Sequence, residues 1–158
     1  MGWKLCAALA TPTESAPGQV CEQRDVAILR SSPGIGRIVL ATLLAEASEP
    51  LRRRDYHALR TLSGAAPVTR RSGKQCCVIR RRACNKRLEN ALYHWARVAM
   101  QHDPISRCRY TELRRRGHSH GRALRGVGDR LLYVLCKLLE RQVLYDPDHT
   151  RPQMTAAA

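Results

Sequence analysis

Over most of this sequence the apolar residues recur at intervals of three and four, and that spacing limits its fold more than any other feature. Leu88, Ala91, Leu92, Trp95 and Ala99 mark one side of a helix predicted from about Lys86 to Gln101. Leu124, Val127, Leu131, Val134, Leu135 and Leu138 form a wider stripe on a longer helix from Ser119 to about Gln142, softened by Gly126 and Gly128. Ile38, Val39, Thr42, Leu43 and Leu44 repeat the pattern from Arg37 to about Ala47, with Pro50 ending that neighbourhood. Val26, Ile28 and Leu29 do so on a short helix that begins at Glu22 and stops at Ser31-Ser32-Pro33. Two more helices are announced by their ends. Asp55 is a plausible N-cap for one through Leu62, closed by Gly64, and Asp103-Pro104 opens one that runs through Ile105, Cys108 and Leu113 to Gly117. Residues 65–82 escape the helical period: Pro67, the Ser72-Gly73 turn signal and the β-prone Cys76-Cys77-Val78-Ile79 read as irregular or hairpin structure. The expected fold is mainly α, a small helical domain over residues 22–146 between a mobile leader, 1–21, and a tail, 147–158.

A chain of 158 residues is long enough for one domain with a real core. With no Phe, five Tyr and two Trp, that core must come from Leu, Val, Ile, Ala and Cys, and a base-stacking surface is hard to assemble. The charge is uneven. The formal net charge is +15, and residues 51–125 hold 20 basic against 4 acidic residues, whereas the two flanks are nearly neutral. Such a concentration favours a polyanionic partner. Of the basic residues 24 are Arg and 4 Lys, and guanidinium forks grip phosphate oxygens bidentately. A GC-rich genome also writes Arg and Ala for codon reasons, which would explain the ratio but not the clustering. Seven Cys without a C-x-x-C spacing read as reduced, buried thiols of an intracellular protein. The apolar run Leu5–Ala10 is too short for a signal sequence or a membrane span, so a soluble, cytoplasmic chain is expected.

Three groups of residues are candidates for chemistry. Helix, Pro33-Gly34-Ile35-Gly36, helix is the pattern of a helix-hairpin-helix, in which glycines expose backbone N–H groups to a phosphate without reading sequence. An ordinary turn between helices has the same look. Arg70, Arg71, Ser72, Gly73 and Lys74, followed by Arg80, Arg81 and Arg82, set one hydroxyl between two cationic blocks. Attack on a phosphodiester needs cations to stabilise the extra charge of the five-coordinate transition state, and a small Gly lets the backbone approach. No carboxylate base lies between Asp55 and Glu89, and a solvated loop with a turn serine is the plainer alternative. His118 and His120 around Ser119 suggest either an acid/base or metal pair or an exposed helix start. The acidic residues assemble into no magnesium-holding cluster, so the chain is expected to bind no metal or other cofactor of its own.

Read together, Ser31-Ser32-Pro33-Gly34-Ile35-Gly36, Leu62-Ser63-Gly64-Ala65-Ala66-Pro67, Arg71-Ser72-Gly73, Asn85 through Leu92 to Ala96, Gly117, Ala123-Leu124 and Leu131-Leu132 resemble the C-terminal domain of the IS-110/116/902 insertion-sequence transposases over about residues 28–146. The resemblance implies DNA transposition by a bacterial mobile-element recombinase in two parts. One is an N-terminal RuvC-like domain with an acidic DEDD magnesium site; the other is a helical domain with a serine nucleophile, at whose position Ser72 stands. It also implies an oligomer working on DNA with a structured guide RNA. Only a leader of some 20 residues precedes the first helix, and Lys74 stands where many members have a second Gly. The expectation is thus a truncated copy, inactive alone; the alternative is a non-catalytic nucleic-acid-binding or assembly module.

Overall fold

The computed structural model describes residues 17–147 apart from Lys74, with side chains from residue 23 onward, Gln75 excepted. The described residues form seven helices and one antiparallel hairpin. In chain order these are α1 (Pro17–Ser31), α2 (Arg37–Glu46), α3 (Ser48–Arg52), α4 (Tyr56–Leu62), β1 (Val68–Ser72), β2 (Gln75–Ile79), α5 (Lys86–His102), α6 (Pro104–Arg115) and α7 (His120–Arg141). The mainly α expectation holds, and none of these helices is long and apolar enough to cross a membrane.

Local chemistry sets most helix ends. The Asp55 carboxylate accepts from Ala58 N, the Asn85 amide oxygen from Arg87 N and Leu88 N, and the Asp103 carboxylate from Ser106 N with Pro104 in the first turn. At the end of α6, Gly117 takes φ +82, Gly117 N donates to Arg114 O and His118 N to Leu113 O, the paired bonds of a Schellman motif.

Helix α5 lies at the centre, with α2, α6 and α7 packed on it. Trp95, Leu88, Leu124, Leu132, Leu135 and Leu139 are shut off from solvent there. Gly126 and Gly128, expected only to weaken α7, have a packing role. A Cβ on Gly128 would come within 3.0 Å of Leu92 Cγ, and one on Gly126 within 2.7 Å of Leu113 Cδ1, so their bareness lets α5 and α6 close on α7. Asp25 ties the two ends of the domain together. Arg54 Nη2 donates to both of its oxygens (2.9 and 2.7 Å) and Gln142 Nε2 to one (2.9 Å). Arg54 and Gln142 are also the two non-glycine residues with left-handed backbones among the described residues, and these side-chain bonds help hold that geometry.

Several boundaries differ from those predicted. Helix α1 begins at Pro17, not Glu22, because proline suits a first helical position; residues 1–16 of the expected leader, and the tail beyond Pro147, lie outside the described residues. Pro50 does not end a helix but sits in the first turn of α3, where its missing N–H would have had no partner anyway. Helix α2 buries Val39, Leu40 and Leu43, a narrower stripe than predicted, and leaves Ile38 83% and Leu44 39% exposed. The described cysteines are free, but only Cys136 is buried; Cys76, Cys77 and Cys108 are exposed. Burial pushes the Cys136 thiol up to about 11.

A candidate nucleic-acid interface

The hairpin pairs Val68 with Ile79, Arg70 with Cys77, Arg71 with Cys76 and Ser72 with Gln75. Gly73, at φ +56, takes the first position of the two-residue connection, where a primed turn requires a positive φ. Alternation along the strands puts Val68, Arg70 and Ser72 on one face, Thr69 and Arg71 on the other. Neither face is covered: Thr69 through Ser72 and Cys76 through Ile79 are all exposed. Only the base is tied down. Asn85 N donates to Leu62 O (2.9 Å), and Gly64 lies so near Cys84 that a Cβ there would meet its Sγ at 2.9 Å.

Ser72 is exposed at the end of β1, on the face it shares with Arg70. Among the described residues its hydroxyl has no hydrogen bond, and no carboxylate pairs with Arg70, Arg71, Arg81 or Arg82. Lys74 lies outside the described residues. At the foot of this face an open groove of about 860 Å³ is lined by Arg70, Arg80, Arg81, Arg82 and Lys86 together with Val68 and Ile79. Arg80 is the exception to the unpaired set: its Nε donates to Glu89 Oε1 (3.1 Å), and Lys86 Nζ to Glu89 Oε2 (3.1 Å). Partial burial pushes the Glu89 carboxyl up, but these two bonds outweigh it and hold the group below the ordinary carboxylate value.

Gly34, Ile35 and Gly36 stand in another groove, beside Arg30, Arg37 and His94, and line none of the hairpin's. Gly34, at φ +83, lies so close to α5 that a Cβ would fall 2.8 Å from Ala99 N, and Trp95 Nε1 donates to Pro33 O (2.8 Å). Ile35 packs against the core. Gly36 alone of the three has open space around it; it starts α2 without a side-chain cap. The turn is thus built first for contact with α5, and its outer surface is Gly36 and Arg37.

His118 and His120 do not converge. His120 Nδ1 lies 2.7 Å from Tyr110 Oη, while His118 faces a cleft beside α7. Magnesium does not fit the described donor set. Asp25, Glu46, Glu49, Glu89, Glu112, Asp129 and Glu140 each hold a Lys or Arg, and Asp55 and Asp103 cap helices. No three of the described His, Cys, Asp and Glu form a group that could hold a metal ion. Arg122 and Arg125, missed in the sequence, line the cleft beside α7; their spacing of three on a helix was the available signal.

Residues 26–111 match the pattern of the Transposase IS116/IS110/IS902 family. The chain is 37% identical over 139 residues to the "Mini-circle putative transposase for IS117" of Streptomyces coelicolor, covering 87% of this chain and 34% of that protein. It is 34% identical over 137 residues to the insertion element IS900 uncharacterized 42 kDa protein of Mycobacterium paratuberculosis, covering 85% and 33%. Identity to the insertion element IS110 uncharacterized 43.6 kDa protein of Streptomyces coelicolor is 30% over 120 residues, 75% and 30%. The chain spans about a third of the length of the curated relatives it matches.

Proposed function

Because the chain belongs to the IS116/IS110/IS902 transposase family, we propose that it serves DNA transposition as the serine-bearing, DNA-binding part of such an enzyme. What carries this reading is the setting of Ser72: an exposed hydroxyl beside a glycine turn, on a strand whose Arg70 and Arg71 lack counter-charges among the described residues. In the proposed step Ser72 Oγ attacks the scissile phosphorus and a P–Oγ bond forms. The bond to the leaving sugar oxygen breaks, and that oxygen takes up a proton. Arg70, which shares the face of Ser72, with Arg80 and Arg82 at the base of the hairpin, neutralises the charge that builds on the phosphoryl oxygens. The serine's proton passes to a base outside the described residues, since no described carboxylate stands beside Ser72. Gly73 keeps the turn free of a side chain where DNA must come close. The outer edge of the Pro33–Gly36 turn, with the backbone N–H of Gly36 at the start of α2, would hold a second stretch of backbone.

In this reading a RuvC-like acidic domain, a structured guide RNA and further copies of the chain complete the assembly, and magnesium belongs to that acidic domain. The test is a covalent-adduct assay with element-end DNA, magnesium and the acidic domain supplied in trans. A protein–DNA band that resists denaturation should form and vanish in Ser72→Ala; its persistence in that variant would remove the nucleophile's role.

One observation favours a second reading. Each described acid near the hairpin is already engaged, Glu89 by Arg80 and Lys86, as suits a module that holds backbones without cutting them. Such a module would show the salt dependence of a phosphate binder, about a thousandfold or more between 50 and 200 mM salt for six to ten contacts, and no adduct under any condition.

A further inference from the structure

Three arginines line one cleft behind the hairpin, two of them on α7, whose part above is packing alone. Arg122 and Arg125 stand one turn apart on α7, and Arg81 approaches them from the segment after β2. Between them is a cleft of about 300 Å³ whose wall also includes Arg60, Arg80 and His118. The two nearby acids are already occupied. Asp129 accepts from Arg60 through both oxygens (3.0 and 2.9 Å) and from Tyr56 Oη (3.0 Å), while Glu89 is held by Arg80 and Lys86. No described carboxylate pairs with Arg81, Arg122 or Arg125.

The cost of this arrangement shows at Arg81. Its Nε is shut off from solvent with no hydrogen-bond partner, alone in this among the described side-chain N and O atoms. A charged donor withdrawn from water without an acceptor is costly. Burial first, then the charge of Arg80 and to a lesser degree that of Arg122, lower Arg125 below the ordinary arginine value despite the opposing charge of Glu89, and an anion in the cleft would work against that lowering. Guanidinium forks fit the oxygens of a phosphate. The volume, about ten times a water molecule's share of the liquid, admits a phosphate and its sugar. Val78 and Ile79 of β2 line the same cleft, so a strand seated in it continues onto the hairpin.

We propose that Arg81, Arg122 and Arg125 form a separate phosphate site that seats one phosphodiester of a nucleic-acid strand running on across the hairpin. The inference rests on the reading that this chain handles nucleic acid, and adds to it a site on α7.

The test titrates the 158-residue chain with a labelled single-stranded DNA, the corresponding duplex and the same sequence as RNA. Four variants are compared: Arg122→Ala/Arg125→Ala, Arg122→Lys/Arg125→Lys, Arg70→Ala/Arg71→Ala, and Arg97→Ala, an exposed α5 residue outside the cleft. The alanine pair should bind the strand it normally seats about tenfold or more weakly, and its salt slope should fall by about 0.7, one phosphate's worth on a single strand. The lysine pair should keep the slope yet recover only part of the affinity, and Arg97→Ala should change little. The probe with the largest loss identifies the strand as DNA or RNA. An alanine pair indistinguishable from Arg97→Ala on all three probes overturns the site. Should that pair fail to fold, the lysine pair decides, and wild-type affinity in it overturns the forked geometry. Loss in Arg70→Ala/Arg71→Ala alone removes the cleft and leaves the hairpin's role standing; loss in neither removes both.

Discussion

Around Trp95, which is 0% exposed, the apolar side chains of α5 meet α2 and α7 on both sides, whereas around Ser72 no described side chain of either strand is buried. The two regions are held by different forces. The body gains from apolar area removed from water, with ion pairs such as Arg54–Asp25 and Arg60–Asp129 along its surface. The hairpin has backbone pairing, a turn glycine and an anchored base, and a two-stranded ribbon with both faces in water is marginal by itself. It also carries Arg70 and Arg71, which no described carboxylate pairs. A region so assembled contributes little to the stability of the free chain and gains most when an anion arrives, while the body does the reverse.

The sharpest way to break this contrast is to truncate the body. Trp95→Ala removes the largest buried side chain and the bond to Pro33 O, and should lower unfolding free energy by about 3–5 kcal/mol in denaturant titrations. Next come the two glycines of one turn. Gly34→Ala should cost about 2 kcal/mol or more, because its Cβ would press on the α5 backbone at a φ of +83, whereas Gly36→Ala, with open space around it, should stay within about 0.5 kcal/mol in the same titration. In the hairpin the sign of the contrast turns over. Arg70→Ala/Arg71→Ala should leave stability within about 0.5 kcal/mol of the parent, yet flatten the salt slope on duplex DNA by about 1.8, two phosphates' worth. A large stability loss there would mean that the hairpin is part of the body after all.

The smallest effect lies at the seam. Tyr56 donates to Asp129, and Tyr56→Phe should cost about 1 kcal/mol. Burial, with the charge of Asp129 and the bond to it, raises the phenol from 10.0 to about 12. The folded chain therefore holds that proton more tightly than the unfolded chain. The stability this gives is complete below pH 10 and is lost as pH rises toward about 12, so alkaline unfolding over that interval should be shallower in Tyr56→Phe than in the parent.

Much of this was readable in advance. The periodic apolar residues of α5 and α7 and the caps at Asp55 and Asp103 gave those helices within a residue or two, because the deciding interactions span three or four positions. The hairpin was legible from Ser72-Gly73 between two extended runs, and with it the exposed serine among arginines. Exposure misled at Ile38 and at Cys76 and Cys77, where apolar or buried-prone residue types stand on faces that no other described element covers. The α7 arginines went unnoticed because a sequence run advertises itself and two residues on a distant helix do not.

Residue order alone determined most of the helices and their caps, though not α3, as well as the turn at Gly73 and the excess of positive charge through the middle of the chain, all of them set by neighbours close along the backbone. Only the tertiary structure decided that Gly34 is pressed against α5, that Asp25 holds both Arg54 and Gln142, and that Arg81 meets Arg122 and Arg125 around one cleft. Those outcomes depend on which helix faces pack together, and that is settled by the whole core at once, across dozens of intervening residues.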